Sequence, residues 1–423
     1  MTPPSQKHPN LELLAPAGNP EKLEIAIHYG ADAVYLGGKG FSLRHNAGNF
    51  SPEEMEGAVA FARERGVRAY VACNVFPRTE ELERLRDYLE QLGTIGPDGL
   101  IVADPGVFAL ARKIVPGIPI HVSTQANVTH LGAARFWREM GARRVNVARE
   151  LSLTEIREIA EGSDVEVEAF VHGAMCMAYS GRCLLSGAMA GRDGNRGDCC
   201  QPCRSRYAIV DERRPGHYFP IREDDRGGYI LSSRDLCMID HIPEMAAAGI
   251  RAFKIEGRAK SIHYLATVVN VYRQALDAFR TDPESYSALP EWRSELERVG
   301  RRGYTAGFYL GDSNALGPQD YPPEPCMEER VLRFAGKVLG MTEDGWVRVQ
   351  VRNQIRTGNQ IQVIRAGKLP RGTRIEGIRD SKGLERMVGR PGEALAIRIS
   401  WTAEENDLIR VEGSNERGKL ASS

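Results

Sequence analysis

Eight short apolar runs, separated by amphipathic stretches of helical period, constrain the first two thirds of this 423-residue chain more than any other feature. The runs are LELLAPA (11–17), AVYLGG (33–38), RAYVACN (68–74), GLIVAD (99–104), IPIHVSTQ (118–125), RRVNVARE (143–150), VEVEAFVHG (165–173) and RAFKIEG (251–257). Such short, nearly continuous apolar runs suit strands buried on both faces. Between them lie helix starts: Asn19 before Pro20, Ser51 before Pro52 with Glu53 and Glu54, and Ser152 ahead of Glu155. Eight β-α units predict an α/β fold, a closed parallel (β/α)8 barrel of the TIM type. A doubly wound open sheet is the alternative. In such a barrel the loops after the strands gather on the C-terminal face, where ligands bind and chemistry occurs.

Cysteine placement then locates that chemistry. Cys176, Cys183, Cys199, Cys200 and Cys203 crowd one stretch and Cys237 follows, whereas Cys73 and Cys326 lie elsewhere. Residues 176–237 form a Cys-rich insertion between strand seven and the MIDHIPEMAAAG helix, so on the barrel reading they stand on the active face. Asp235 and Cys237 are expected as the cap and first turn of that helix. Thiolates are soft ligands, and four of them hold either a 4Fe-4S cluster or a tetrahedral zinc. Spacings here depart from the paired short knuckles of structural zinc sites, and glycines 181, 187, 191, 194 and 197 suit a loop wrapped round an object. An iron-sulfur cluster is the favoured reading, zinc the alternative, and disulfides or unliganded thiols the remainder.

The same stretch resembles a known family. The pattern E-x-F-x-x-G-[SA]-M-C-x4-G-x-C-x-[LIVM]-S is the signature of the collagenase-like peptidase U-32 family, and Glu168, Phe170, Gly173, Ala174, Met175, Cys176, Gly181, Cys183, Leu185 and Ser186 meet it. Further runs at 191–204, 214–224, 229–237, 253–261 and 302–311 are similar to the subgroup active in tRNA wobble-uridine hydroxylation. The likeness extends from about Leu11 into the C-terminal domain; one departure is Cys200, where relatives more often carry a small residue. The resemblance implies an iron-sulfur protein acting in 5-hydroxyuridine formation at the tRNA wobble position, with prephenate, a small organic acid, as cosubstrate. It favours Cys176, Cys183, Cys199 and Cys237 as ligands, with Cys203 and Cys200 as substitutes. Related members hydroxylate a ribosomal-RNA base or a quinone precursor. A U-32-type peptidase and a non-catalytic RNA-binding or assembly factor are the other classes, although the chain holds neither H-E-x-x-H nor G-x-S-x-G.

Other residues fall on the same expected face: Asn46, Asn49, Asn74, Asp104, Gln125, Asn127, Arg149, Glu150 and His172. An Asn or Asp just past a strand is as often a turn or cap as a ligand. Lys254, Glu256 and Arg258 alternate along strand eight and so share one side. Charge inside a barrel is costly unless paired or used, and a Lys254–Glu256 bridge sealing the floor is the structural reading. Glu256, His172 and Asn74 are the catalytic candidates; Arg258, Lys254, Gln125 and Arg149 are the candidates for binding substrate. Arg258 suits a carboxylate ligand because a planar guanidinium makes paired hydrogen bonds.

The domain reading is a tail at 1–10, the barrel at 11–280, a Pro-rich surface linker at 281–326, a small all-β barrel at 327–415 and a tail at 416–423. Residues 327–423 carry 18 basic and 13 acidic side chains within a chain of zero net charge, and this surplus makes the C-terminal domain a candidate for RNA binding. No apolar stretch has the length of a signal-peptide core or a membrane span, so a cytoplasmic protein without a membrane partner is expected.

Overall fold

A computed structural model describes residues 11–42, 48–175, 184–194, 198–200, 202, 208–210, 218–220, 234–300, 303–311 and 332–412. Its first part alternates strand and helix: β1 (Glu12–Pro16), α1 (Pro20–His28), β2 (Ala33–Gly37), α2 (Pro52–Glu64), β3 (Arg68–Cys73), α3 (Leu82–Ile95), β4 (Gly99–Val102), α4 (Pro105–Ile114), β5 (Ile120–Val122), α5 (Leu131–Glu139), β6 (Arg144–Asn146), α6 (Leu153–Gly162) and β7 (Glu166–Ala174). The insertion follows, with α7 (Leu185–Ala190), the paired β8 (Ala208–Val210) and β9 (Tyr218–Pro220), β10 (Asp235–Cys237) and α8 (Ile242–Ala247). Then come β11 (Ile250–Ile255) and α9 (Ile262–Thr281).

Strands β1 to β7 pair in sequence and in parallel, and β11 closes the ring by pairing with both β1 and β7. The expected closed barrel is therefore the fold. Local chemistry starts its helices where the sequence indicates: Asn19 Oδ1 accepts from the Lys22 N–H at 2.9 Å, and Ser51 and Ser152 each form a capping box, with Glu54 and Glu155.

Two segments differ from expectation. Asp235 and Cys237 belong to a strand, not to a helix start: β10 runs antiparallel to β7, with Asp235 opposite Ala174 and Cys237 opposite His172. The upper end of β7 extends past β6, leaving backbone groups that β10 satisfies. The stretch expected as a linker holds α10 (Pro290–Val299) and β12 (Tyr304–Thr305), and its Trp292, Leu296 and Tyr309 are buried in the barrel's core.

The C-terminal part is β13 (Leu332–Met341), β14 (Val347–Val351), β15 (Ile355–Arg356), β16 (Gln360–Ile364), β17 (Arg371–Arg374), β18 (Gly377–Arg379), β19 (Glu385–Arg386), β20 (Val388–Gly389), β21 (Ala394–Arg398) and β22 (Leu408–Glu412). The expected small barrel is an antiparallel sheet in the order β17-β16-β22-β13-β14-β21-β18-β19, with β15 and β20 paired apart, over one core of Val, Ile and Leu. It docks on α1, α9 and α10. The Tyr29 hydroxyl donates to the Ile364 carbonyl at 2.8 Å and accepts from the Leu408 N–H at 3.1 Å, and both Ile364 and Leu408 join the barrel's apolar core.

Candidate functional site

The barrel interior is built in layers, and period-two alternation decides which residues enter it. Lowest is an ionic layer. Arg144 on β6 reaches Glu12 Oε1 at 2.6 Å and Glu168 Oε2 at 3.1 Å, Lys254 on β11 reaches Glu168 Oε1 at 2.7 Å, and the Tyr70 hydroxyl donates to Glu12 Oε2 at 2.8 Å. Burial alone would raise the Glu168 carboxyl; the cations of Lys254 and Arg144 outweigh it and hold the group below the usual carboxylate range. Lys254 thus pairs across strands with Glu168, and the expected Lys254–Glu256 bridge is replaced by this one.

Above that layer lies a pocket at the C-terminal ends of the strands. Tyr35, Ala72, Ile101, Asn146, Phe170 and Lys254 form its lower wall, with Asn74, Gln125, Arg149, Glu256 and Arg258 towards the strand ends. All four expected substrate-binding residues are here, as are Asn74 and Glu256. Arg149 lays its guanidinium 3.8 Å from the centre of the Phe170 ring, with Glu256 4.0 Å away. Arg258 donates to Ser42 Oγ at 2.7 Å, and its backbone carbonyl accepts from the Lys22 ammonium at 2.9 Å. Burial, and then the nearby Arg258 cation, lower the Lys22 pKa.

His172 is elsewhere. The β7–β11 register slips between Lys254 and Ile255, so that Phe170 faces Lys254 while His172 faces Ile255. That bulge reverses the alternation and turns the imidazole out of the barrel, against Tyr264 and Tyr272 of α9 and Tyr304 of β12. Burial pushes its pKa down to about 3. A catalytic role in the pocket is thereby removed. Asp104 is the N-cap of α4, and Asn127 ends a short turn with φ of 56°. Glu150 lies outside the pocket lining, Asn49 is buried with φ of 51°, and Asn46 is outside the described residues.

Sequence profiles decide the kinship: peptidase family U32 matches residues 18–317, and the peptidase family U32 C-terminal domain matches residues 330–410. The chain belongs to peptidase family U32. Among curated U32 relatives, "tRNA hydroxylation protein P1" of Bacillus subtilis is 44% identical, over 83% of this chain and 82% of that protein. "tRNA hydroxylation protein P" of Escherichia coli is 34% identical over 94% of each chain. The "23S rRNA 5-hydroxycytidine C2501 synthase" of E. coli is 36% identical, over 74% of this chain and 47% of that one.

Of the U32 cysteines, Cys176, Cys183 and Cys203 lie outside the described residues, and among the described residues no cluster of three or more metal-ligating side chains is found. Cys199 and Cys200 are half-buried; Cys200 sets its N–H 3.1 Å and its Sγ 3.2 Å from Ser186 Oγ. Cys237 lies 3.9 Å from the Tyr272 hydroxyl, and burial pushes its thiol up to about 11 against a backbone N–H at Ile239 that favours the thiolate. Cys73 is enclosed in the same way, so what sets Cys237 apart is its place on β10, paired with the end of β7 that leads into Cys176. Sequence alone did not single out Tyr35, Ser42, Ser123, Thr124 or Asn146, and it marked Phe170 only as part of the family signature. Inward alternation from Arg144 to Asn146 was the available signal for one of them.

Proposed function

We propose that this U32 protein is an RNA hydroxylase that forms 5-hydroxyuridine at the tRNA wobble position. The observation that carries the reading is the near full-length kinship to two proteins named for tRNA hydroxylation, joined to a polar pocket at the C-terminal mouth of the barrel. Cys176, Cys183, Cys199 and Cys237, with Cys203 and Cys200 as substitutes, hold a 4Fe-4S cluster whose chemistry is electron transfer. The place of Cys237 on β10, paired with the end of β7 that leads into Cys176, supports this assignment. Prephenate serves as cosubstrate, and we assign its carboxylates to Arg258 and Arg149, a reading supported by both guanidinium groups lining the pocket.

Replacing the C5 hydrogen of a uracil by hydroxyl requires that a proton leave C5. Hydroxylation is also a two-electron oxidation, so an external oxidant supplies the oxygen and takes up the electrons; this chain's own part is the base, and Glu256, the carboxylate among the described pocket-lining residues, accepts the proton lost from C5. Lys254, committed to Glu168, keeps the pocket floor shaped and contributes less to the ligand than Arg258. A peptidase receives less support from the relatives, two of which are named for tRNA hydroxylation.

The deciding experiment measures 5-hydroxyuridine in bulk tRNA from a strain lacking the gene, complemented with the wild type, Glu256→Gln or Cys237→Ser. Wild type should restore the nucleoside, and both variants should fail while tRNA abundance is unchanged. Absence of hydroxyuridine with a well-expressed wild type would overturn the function. Full restoration by a variant would remove that residue's assigned role.

A further inference from the structure

We propose that the barrel pocket receives the target base itself, withdrawn from the RNA stack, and that Asn146 reads its amide edge. The inference rests on the hydroxylase reading above and adds the substrate subsite. Asn146 ends β6, lines the pocket and is 2% exposed, yet among the described residues neither its Nδ2 nor its Oδ1 has a hydrogen-bond partner. Each unmet buried polar group costs about 1–3 kcal/mol, and native structures seldom retain one without a use. Here both ends of one amide are unmet at the same place.

That pair of ends selects the ligand. A carboxylate or phosphate offers only acceptors and leaves Oδ1 without a donor; an ammonium offers only donors and leaves Nδ2 without an acceptor. A pyrimidine edge offers both side by side. Uracil N3–H donates to Oδ1 while an adjacent carbonyl accepts from Nδ2, and C5 stays on the uncontacted part of the ring, free to react. Tyr35 and Phe170 line the same space as aromatic neighbours for a base, Phe170 with the Arg149 guanidinium 3.8 Å from its ring centre. Arg149 and Arg258 each come three residues after the last residue of their strands, Asn146 of β6 and Ile255 of β11, so the anionic groups of the ligands remain above the base. Enzymes that alter a base atom commonly take the base out of its stack, and an anticodon loop lowers the cost of doing so.

The test uses full-length protein and two anticodon stem-loop RNAs, one with uridine and one with an abasic site at the wobble position. Wild type should bind the uridine RNA about tenfold more tightly, the effect of one good paired contact. Asn146→Leu should bind both RNAs equally, at the wild-type affinity for the abasic RNA. Asn146→Asp keeps the side-chain shape but cannot donate at Nδ2; it should lose the preference too, and it decides the matter if the Leu form fails to fold. Equal binding of both RNAs by wild type, or an unchanged preference in both variants, overturns the inference; a small organic acid on Asn146 would give the latter. These outcomes remain distinct from failure of the parent reading, in which wild type produces no hydroxyuridine in tRNA at all.

Discussion

Lys254 reaches across to Glu168 at 2.7 Å and not along its own strand to Glu256. The consequence is a division of the barrel interior: a neutralised ionic layer below, and a pocket above in which Arg149, Arg258 and Glu256 remain near the ligand. Lys254→Met leaves Glu168 buried with Arg144 as its remaining close cation at 3.1 Å. Breaking a buried pair by removing one partner costs about 3 kcal/mol or more. Urea denaturation should show that loss, and an unchanged midpoint would mean that Arg144 alone suffices.

Gly37 sits where Arg258 needs room. A Cβ there would stand 2.4 Å from Arg258 Nη1 and 2.5 Å from Ser42 Oγ. Because those atoms end flexible side chains, Gly37→Ala should fold while displacing the guanidinium. Hydroxyuridine formation should fall about tenfold or more in Gly37→Ala and in Arg258→Lys alike, with iron content and melting temperature near wild type, because both degrade a directed contact of about 1.5–3 kcal/mol. A drop in melting temperature and iron before activity would mark Arg258 as structural.

Arg410 joins the two sheets' domains. It is 1% exposed and makes a bidentate pair with Glu295 of α10, at 2.8 and 2.7 Å, while also reaching Gln362 Oε1. With Tyr29 bridging Ile364 and Leu408, this contact should make the wild type unfold in one cooperative transition. Arg410→Met leaves the buried Glu295 with the more exposed Arg298 at 3.5 Å in place of a bidentate partner, at a cost of about 3 kcal/mol. The variant should unfold in two steps by denaturant titration. For the same reason, removal of residues 327–423 should destabilise the barrel instead of releasing an intact one.

His121 supplies a pH dependence. It is 4% exposed beside Arg144, and burial, reinforced by that cation, pushes its pKa down to about 3 from an ordinary value of 6.5. The unfolded chain therefore binds the proton that the folded chain refuses, so the stability present above pH 6.5 is lost as pH falls towards 3. Between pH 7 and pH 5.5 this group should cost about 1 kcal/mol. Wild type should lose that much more than His121→Gln in denaturation at the two pH values; equal losses would show that His121 is protonated in the fold.

Legibility in the sequence followed how local the cause was. Apolar runs and caps at Asn19, Ser51 and Ser152 are properties of neighbouring residues, and they placed the barrel and the pocket-facing strand ends. Strand eight's alternation rightly put Lys254, Glu256 and Arg258 on one side, but the partner of Lys254 comes from another strand, and only the barrel's register selects Glu168 over Glu256. The β7 bulge is a backbone event with no clear signature in VEVEAFVHG, and it reversed the direction expected of His172. Tertiary docking hid the rest: Trp292, Leu296 and Tyr309 sit among the prolines and turn residues that read as a surface linker.

On the proposed cluster assignment, Cys73 is a plain buried thiol and Cys237 a metal ligand. Both are enclosed, with burial pushing Cys73 up to about 12 and Cys237 to about 11. Cys73, at the end of β3, lies in the apolar core, whereas Cys237 lies on β10, which is hydrogen-bonded to the strand that leads through Met175 into Cys176. Anaerobically purified Cys73→Ser should retain about four irons per chain, the complement of one cluster. Cys237→Ser should lose them together with the brown colour, and its melting temperature should fall towards that of iron-stripped wild type. Full iron in Cys237→Ser would assign the fourth thiolate to Cys200 or Cys203, and a colourless wild type with stoichiometric zinc would replace the cluster by a tetrahedral site.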